Sequence, residues 1–375
     1  MKRTLLCGLL IAASALSSLT APAALAKTVL VGTCRHGLQT YPTISQAVSS
    51  VPAGSTVLVC PGNYPEQVTI TQPLILRGVQ SANTANPTIA VPSGGLTKSV
   101  IAPTNGITMF FQILVQGTES GLVNISNIGV NGSSSANSAL NGWISGIYYQ
   151  NSSGTVTSVA AYGQSGNGYG FGIFLEGTTS PPKAVTVKNS SVHDFDSEGI
   201  RTNGSVVPSL IVNIASNSVI SSNSFSGNPA YGGIDVQGAA GSIANNRVIT
   251  HPALPGISAG VGVAFPSSSV VTGNTVENFT VGVWALGNSN AVKSNQVLLA
   301  GTGIVISGSN NNVQTNSLLN LSGGTGISFN CTGTGNTAIH NLINDASWGI
   351  ASSHGSNTIT PNSYSNVANM ISPPC

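Results

Sequence analysis

The sequence predicts an all-β fold, a single-stranded right-handed parallel β-helix with a short N-terminal capping helix, on three observations. Gly-Ile or Gly-Val pairs recur at Gly146, Gly172, Gly199, Gly233, Gly262, Gly282, Gly303, Gly326 and Gly349, between 20 and 34 residues apart. A second marker keeps step with them: Asn217-Ser218-Val219, Asn246-Arg247-Val248, Asn274-Thr275-Val276, Asn295-Gln296-Val297, Asn316-Ser317-Leu318 and Asn341-Leu342-Ile343. The runs between the markers are β-branched and lack helical spacing. A fixed period in this range announces stacked supersecondary units. Stacked coils lie about 4.8 Å apart, so like residues pile into columns, Ile and Val inside and Asn amides bonding along the axis. Gly and Asn suit the sharp corners, and the right hand follows from the rule for parallel crossovers.

In chain order, residues 1–26 read as a secretory signal: Lys2 and Arg3 lead, an apolar stretch runs from Leu5 to Leu19, and Ala24-Leu25-Ala26 fits the cleavage pattern. A released or periplasmic protein is expected. Residues 27–375 then form one domain, with 27–60 as cap and first coil and 146–360 as regular coils. The segment Pro42 to Val51 carries the only helical apolar spacing, with Ile44, Ala47, Val48 and Val51 on one face. A helix here plugs the first coil, whose open end otherwise exposes core and strand edges. Residues 81–145 are Ser-, Asn- and Gly-rich and predict wider coils with a projecting loop. Extra residues around Ser221 to Tyr231 and around His251 to Ala259 predict two long loops beside one face.

Without residues 1–26 the chain has nine basic and nine acidic residues. That balance argues against nucleic acid or an anionic membrane as partner, and no window is long and apolar enough to span a bilayer. Four Cys remain; the pairs Cys34–Cys60 and Cys331–Cys375 are favoured because a solenoid touches only its neighbours along the axis. A monomer is expected.

Alternation within each Gly-Ile run places the residues two and four after the Gly on an outward face. The first column reads Tyr148, Phe174, Arg201, Asp235, Ala264 and Trp284; the second reads Gln150, Glu176, Asn203 and Gln237. Glu176, Arg201 and Asp235 are the candidate catalytic residues. Tyr148, Phe174, Asn203, Gln237 and Trp284 are the candidate substrate-binding ones. Aromatic faces cover sugar rings, amides bind hydroxyls and Arg pairs with a uronate carboxylate, so a polysaccharide is the expected partner. Two rungs separate Glu176 from Asp235, about 9–10 Å, near the upper end for an inverting pair. In the alternative β-elimination, Asp194, Asp196 and Glu198 bind Ca²⁺ and Arg201 acts as base, which requires a depressed pKa. A surface ion pair at Arg201 and Asp235 is the plain structural reading of the same residues. The five His show no metal-ligand spacing.

Tyr41-Pro-Thr-Ile-Ser-Gln-Ala-Val48, Val51-Pro-Ala-Gly54, Pro61-Gly-Asn-Tyr-Pro-Glu66 and Leu74-Ile-Leu-Arg-Gly78 resemble the opening coils of pectin methylesterases and other members of the pectate-lyase-like superfamily. The resemblance implies the β-helix and its capped first turns. It carries no catalytic residue: the methylesterase Asp-Phe-Ile-Phe-Gly, the lyase Arg-x-Pro-x-x-Arg and the polygalacturonase Gly-His-Gly patterns are absent. A polysaccharide lyase or hydrolase is therefore one expectation, and a non-catalytic cell-envelope or adhesion module the other.

Overall fold

A computed structural model describes residues 25–80, 85–118, 121–166, 168–205, 209–221, 230–250, 257–264, 268–351 and 354–372. The described residues form a right-handed parallel β-helix. Successive coils contribute to a 13-stranded parallel sheet and to a second, 23-stranded sheet that wraps the other two faces. The expected secretory segment, Cys375 and most of both long loops lie outside the described residues.

Strands of the second sheet that carry the functional face are β1 (Thr108–Gln116), β2 (Trp143–Gln150), β3 (Gly170–Gly177), β4 (Glu198–Gly204), β5 (Ala230–Gln237), β6 (Ile257–Ala264) and β7 (Val281–Leu286). Each pairs in parallel with the next. The interior is a continuous column of Ile, Val and Leu: Ile147, Ile173, Ile200, Ile234, Val261, Val283 and Ile304 are all fully buried.

One repeat marker shifts. Ile234 pairs with Val261, and Val261 with Val283, so the counterpart of Gly233-Ile234 is Gly260-Val261 and not Gly262-Val263. The reason for the Gly also differs from the sequence expectation. These glycines do not have positive φ; the left-handed corners fall on the residue before each Asn marker, as at Ser216, Asn245, Gly273, Ser294, Thr315 and His340. What the Gly supplies is space. A Cβ on Gly199, Gly233, Gly260 or Gly282 would stand 2.0 to 2.3 Å from the Cγ1 of Val219, Val248, Val276 or Val297. The Gly of one coil thus accommodates the Val of the Asn-x-Val motif in the next, and this contact is why the two markers share a period.

The buried Asn markers form a ladder. Asn217, Asn246, Asn274, Asn295, Asn316 and Asn341 each donate from Nδ2 to the Oδ1 of the next, at 2.9 to 3.0 Å, ending on Asn362. The same Oδ1 atoms accept backbone N–H groups at the corner. Each amide therefore satisfies backbone groups that the turn would otherwise leave buried and unpaired.

Helix α1 (Ile44–Ser50) plugs the first coil through Ile44, Ala47 and Val48. Thr43 caps it by accepting from Gln46 N, and the Glu66 carboxylate accepts from the Ile44 and Ser45 N–H groups at 2.8 Å. Replacing Glu66 by Ala removes the acceptor for two helix-start donors and is expected to lower stability by about 1–2 kcal/mol, read by urea denaturation. Cys34 and Cys60 form a disulfide beside this cap. Bonds of this type persist in oxidising compartments. Among the described residues no helix is long and apolar enough to cross a membrane.

Candidate functional site

The register of the outward face decides the site. One column runs Tyr148, Phe174, Arg201, Asp235, Gly262, Trp284, so Gly262 replaces Ala264 of the sequence reading. The neighbouring column runs Gln150, Glu176, Asn203, Gln237, Ala264, Leu286. The candidate residues stand on one ribbon, yet they do not act as one site.

The half over β2 and β3 is closed. The segment Ser99–Ile101 pairs antiparallel with β1 and its connection folds over this face. Tyr148 and Phe174 are wholly buried in an apolar cluster with Met109, Phe111, Leu114 and Phe171. Glu176, 1% exposed, accepts from Thr104 N at 2.9 Å and also from the hydroxyls of Thr104 and Tyr148. Asn203 donates to the same Thr104 hydroxyl. Burial raises the Glu176 pKa, while the bonds from Thr104 and Tyr148 oppose the rise. Tyr148, Phe174 and Glu176 therefore anchor the 102–107 connection; they do not present a surface to substrate, and Glu176 is not half of an acid and base pair with Asp235.

The half over β4 to β7 is open, and it holds a cavity of about 400 Å³. Its charged wall is Arg201, whose Nη1 donates to Glu198 Oε1 at 2.8 Å and to Asp235 Oδ2 at 3.3 Å, and whose Nη2 donates to Gln237 Oε1 at 3.2 Å. Gln237 returns a bond to Asp235 Oδ2 at 2.8 Å, and Ser197 Oγ donates to Glu198 Oε2. Both carboxylates contact Arg201 Nη1, at 2.8 and 3.3 Å, so their nearest oxygens are no more than about 6 Å apart, close enough to act on one glycosidic bond.

Aromatic side chains flank this network. The guanidinium carbon sits 5.7 Å from the Trp143 ring centre and 5.9 Å from that of Phe171, and Trp143 stacks on Tyr169 at 5.7 Å. Small residues form the next rung: Ala259, Gly262 and Ala264 of β6 line the cavity floor. Trp284 and Leu286 of β7 close the far side. A Cβ on Gly262 would already stand 3.0 Å from Asp235 Oδ1. The cavity exists because one rung is nearly bare between two rungs of large side chains.

Glu198 was outside the sequence-derived columns, for a physical reason. Strict alternation puts residues three apart on opposite faces of a strand. In β4 the Gly199 position points into the core, toward Val219 and Phe195, and Ile200 follows it inward. Two successive inward residues break the alternation and bring Glu198 to the same face as Arg201. A kink at each Gly-Ile pair, once assumed, would have found it. Trp143, Tyr169 and Phe171 precede the Gly pairs in the same way.

Burial raises the Glu198 pKa to about 7; Arg201 pulls it down and Asp235 adds to the rise. Asp235 is raised for the same first reason, with Arg201 and Gln237 opposing. Burial alone would lower Arg201, but the two carboxylates outweigh it and hold the guanidinium above its ordinary value. Two expectations fail here. Arg201 is not a base with a depressed pKa, and it is not a free receptor for a uronate, because Nη1 and Nη2 are already engaged.

The three acids expected to bind Ca²⁺ are not brought together. Asp194 pairs with His193 Nδ1 at 2.8 Å, Asp196 accepts from Gly166 N at 2.5 Å, and Glu198 belongs to the Arg201 network. Among the described residues no group of three His, Cys, Asp or Glu could hold a metal ion. Alternate residues at a corner point apart, so their spacing in sequence did not become a cage.

Residues 209–364 match the family described as right handed beta helix region. No curated protein sequence matches the chain. Among solved structures, the A-module of mannuronan C-5 epimerase AlgE6 from Azotobacter vinelandii is similar at a TM-score of 0.60 and 14% identity, over 88% of this chain and 95% of that one. A lacto-N-biosidase from Eubacterium ramulus is similar at 0.58 and 13%, over 92% of this chain and 68% of that one. The Dettilon tailspike protein is similar at 0.55 and 14%, over 84% and 62%. At these identities the likeness is one of fold. The capped opening, the two sheets, the matched segment and these structures together make the chain a right-handed parallel β-helix.

Proposed function

We propose that this is an exported protein that seats a polysaccharide in the cavity over β4 to β7 and hydrolyses a glycosidic bond there. The observation that carries the reading is the pair Glu198 and Asp235, held by one guanidinium at the wall of an aromatic-lined cavity. Glu198, whose pKa burial raises to about 7, gives its proton to the leaving glycosidic oxygen while the Asp235 carboxylate, paired with Arg201 and Gln237, attacks the anomeric carbon. Water then displaces Asp235 and gives its proton to Glu198; one water is consumed and one glycosidic bond is cut. Trp143 and Trp284 supply flat faces for sugar rings, and Gln237 an amide for hydroxyls. Two similar folds are named for work on glycans, which agrees with this reading. Elimination is disfavoured because Arg201 cannot serve as its base.

The test is incubation of the purified protein with a glycan panel, following new reducing ends and binding. Cleavage of at least one glycan is expected, with Glu198→Gln slowing it about 10²-fold or more. Gly262→Leu fills the bare rung and is expected to remove binding while circular dichroism stays unchanged. Binding by the native chain that survives Gly262→Leu would place the ligand elsewhere.

A second reading, a non-catalytic adhesion or envelope module, is favoured by the saturation of the network: both carboxylates are already paired with Arg201. It is the reading that remains if glycans bind through the cavity and no product forms.

A further inference from the structure

Resting on the glycan reading above, we infer that the cavity selects an uncharged sugar residue and rejects a uronate. Two carboxylates face one guanidinium, and Arg201 is the sole Lys, Arg or His among the residues lining the cavity. Its Nη1 and Nη2 are spent on Glu198, Asp235 and Gln237. Its Nε is enclosed, without a partner among the described residues, and has no surface to offer.

A ligand carboxylate entering here loses its water without gaining a free cation, and it meets the Asp235 carboxylate in a poorly hydrated space. The hydroxyls of a neutral ring meet the opposite situation. The open side presents acceptors, Asp235 and Gln237, to O–H donors, and charge-assisted bonds of that kind are the stronger ones. The ring faces meet Trp143, Tyr169 and Trp284, and the bare rung of Ala259, Gly262 and Ala264 leaves room for them. From Asp235 to Trp284 is two strand spacings, about 9–10 Å, which admits one ring and its hydroxyls.

Matched oligosaccharide series differing only at C6 test this: galactose against galacturonate, glucose against glucuronate and mannose against mannuronate, with methyl-esterified galacturonate as the neutral form of an acid. Binding is followed by tryptophan fluorescence and calorimetry on the full chain. At least one neutral series is expected to bind tenfold or more tighter than its acid, and methyl esterification to restore most of the loss for galacturonate if the galactose series binds. Asp235→Asn, with its fold checked by circular dichroism, is expected to narrow the gap. Equal or tighter binding of the free acids overturns this inference while leaving the glycan reading standing. Failure of every member of every series to bind overturns both.

Discussion

Asn274→Leu is expected to lower the stability of the solenoid by about 3–5 kcal/mol, the sum expected for several buried groups losing partners. Asn274 is fully buried, and its four side-chain bonds run in both directions along the axis. Its Oδ1 accepts from Asn246 N and Asn246 Nδ2, both at 2.9 Å, and its Nδ2 donates to Ile243 O and Asn295 Oδ1, also at 2.9 Å. Leu keeps the same branched skeleton without the polar atoms, so no cavity contributes. Urea denaturation with far-ultraviolet circular dichroism measures it. A partly exposed residue in the same region, Gln314, is the control, and its replacement by Ala is expected to shift stability by less than about 0.5 kcal/mol. Because each coil contacts only its neighbours, the Asn274 defect is expected to broaden the transition as well as lower its midpoint. A loss of under about 1 kcal/mol would show that water or backbone adjustment replaces the amide.

Arg201→Leu is expected to destabilise the chain by about 3–5 kcal/mol near neutral pH, because it leaves two carboxylates without their cation. The defect should shrink on acidification, since protonating Glu198 and Asp235 removes the unpaired charges. The native protein carries a weaker form of the same dependence. Glu198 has a folded-state pKa of about 7 against an ordinary value of 4.5. A raised pKa means that the folded state holds the proton more tightly than the unfolded chain. Its stability contribution is fully present below about 4.5 and is lost as pH rises through about 7. Asp235, Glu176 and Asp196 are raised in the same direction, each chiefly by burial. Thermal midpoints are therefore expected to fall between pH 5 and pH 8, and Glu198→Gln to flatten that slope. A midpoint rising over this interval would mean that Arg201 holds the carboxylates ionised more strongly than burial opposes it.

The repeat markers, the capping helix and the Asn ladder were legible in the sequence because each is a local rule repeated with a period. Gly and Val recur together since one must make room for the other, and Asn recurs since every corner presents the same backbone donors. The Cys34–Cys60 pair followed from the same nearest-neighbour logic. The outward columns were legible to within one coil, where Gly260 and Gly262 offer two choices two residues apart. That slip exchanged Ala264 for Gly262 and hid the bare rung that makes the cavity.

The chemistry was less legible because it depends on two features that no periodicity encodes. One is the inward kink at Gly199, which turns Glu198 onto the face of Arg201 against the alternation of an ideal strand. The other is the connection 102–107 between Ser99–Ile101 and the Thr108–Gln116 strand, which comes from the irregular region and folds over Tyr148, Phe174 and Glu176. It converts an expected sugar platform into an apolar interior and leaves the later coils open. The stacking of residues into columns follows from the repeat, since a fixed rise is dictated by backbone hydrogen bonding. Which rungs meet solvent follows from long-range packing, since that depends on where the 102–107 connection settles and on steric relief at single glycines.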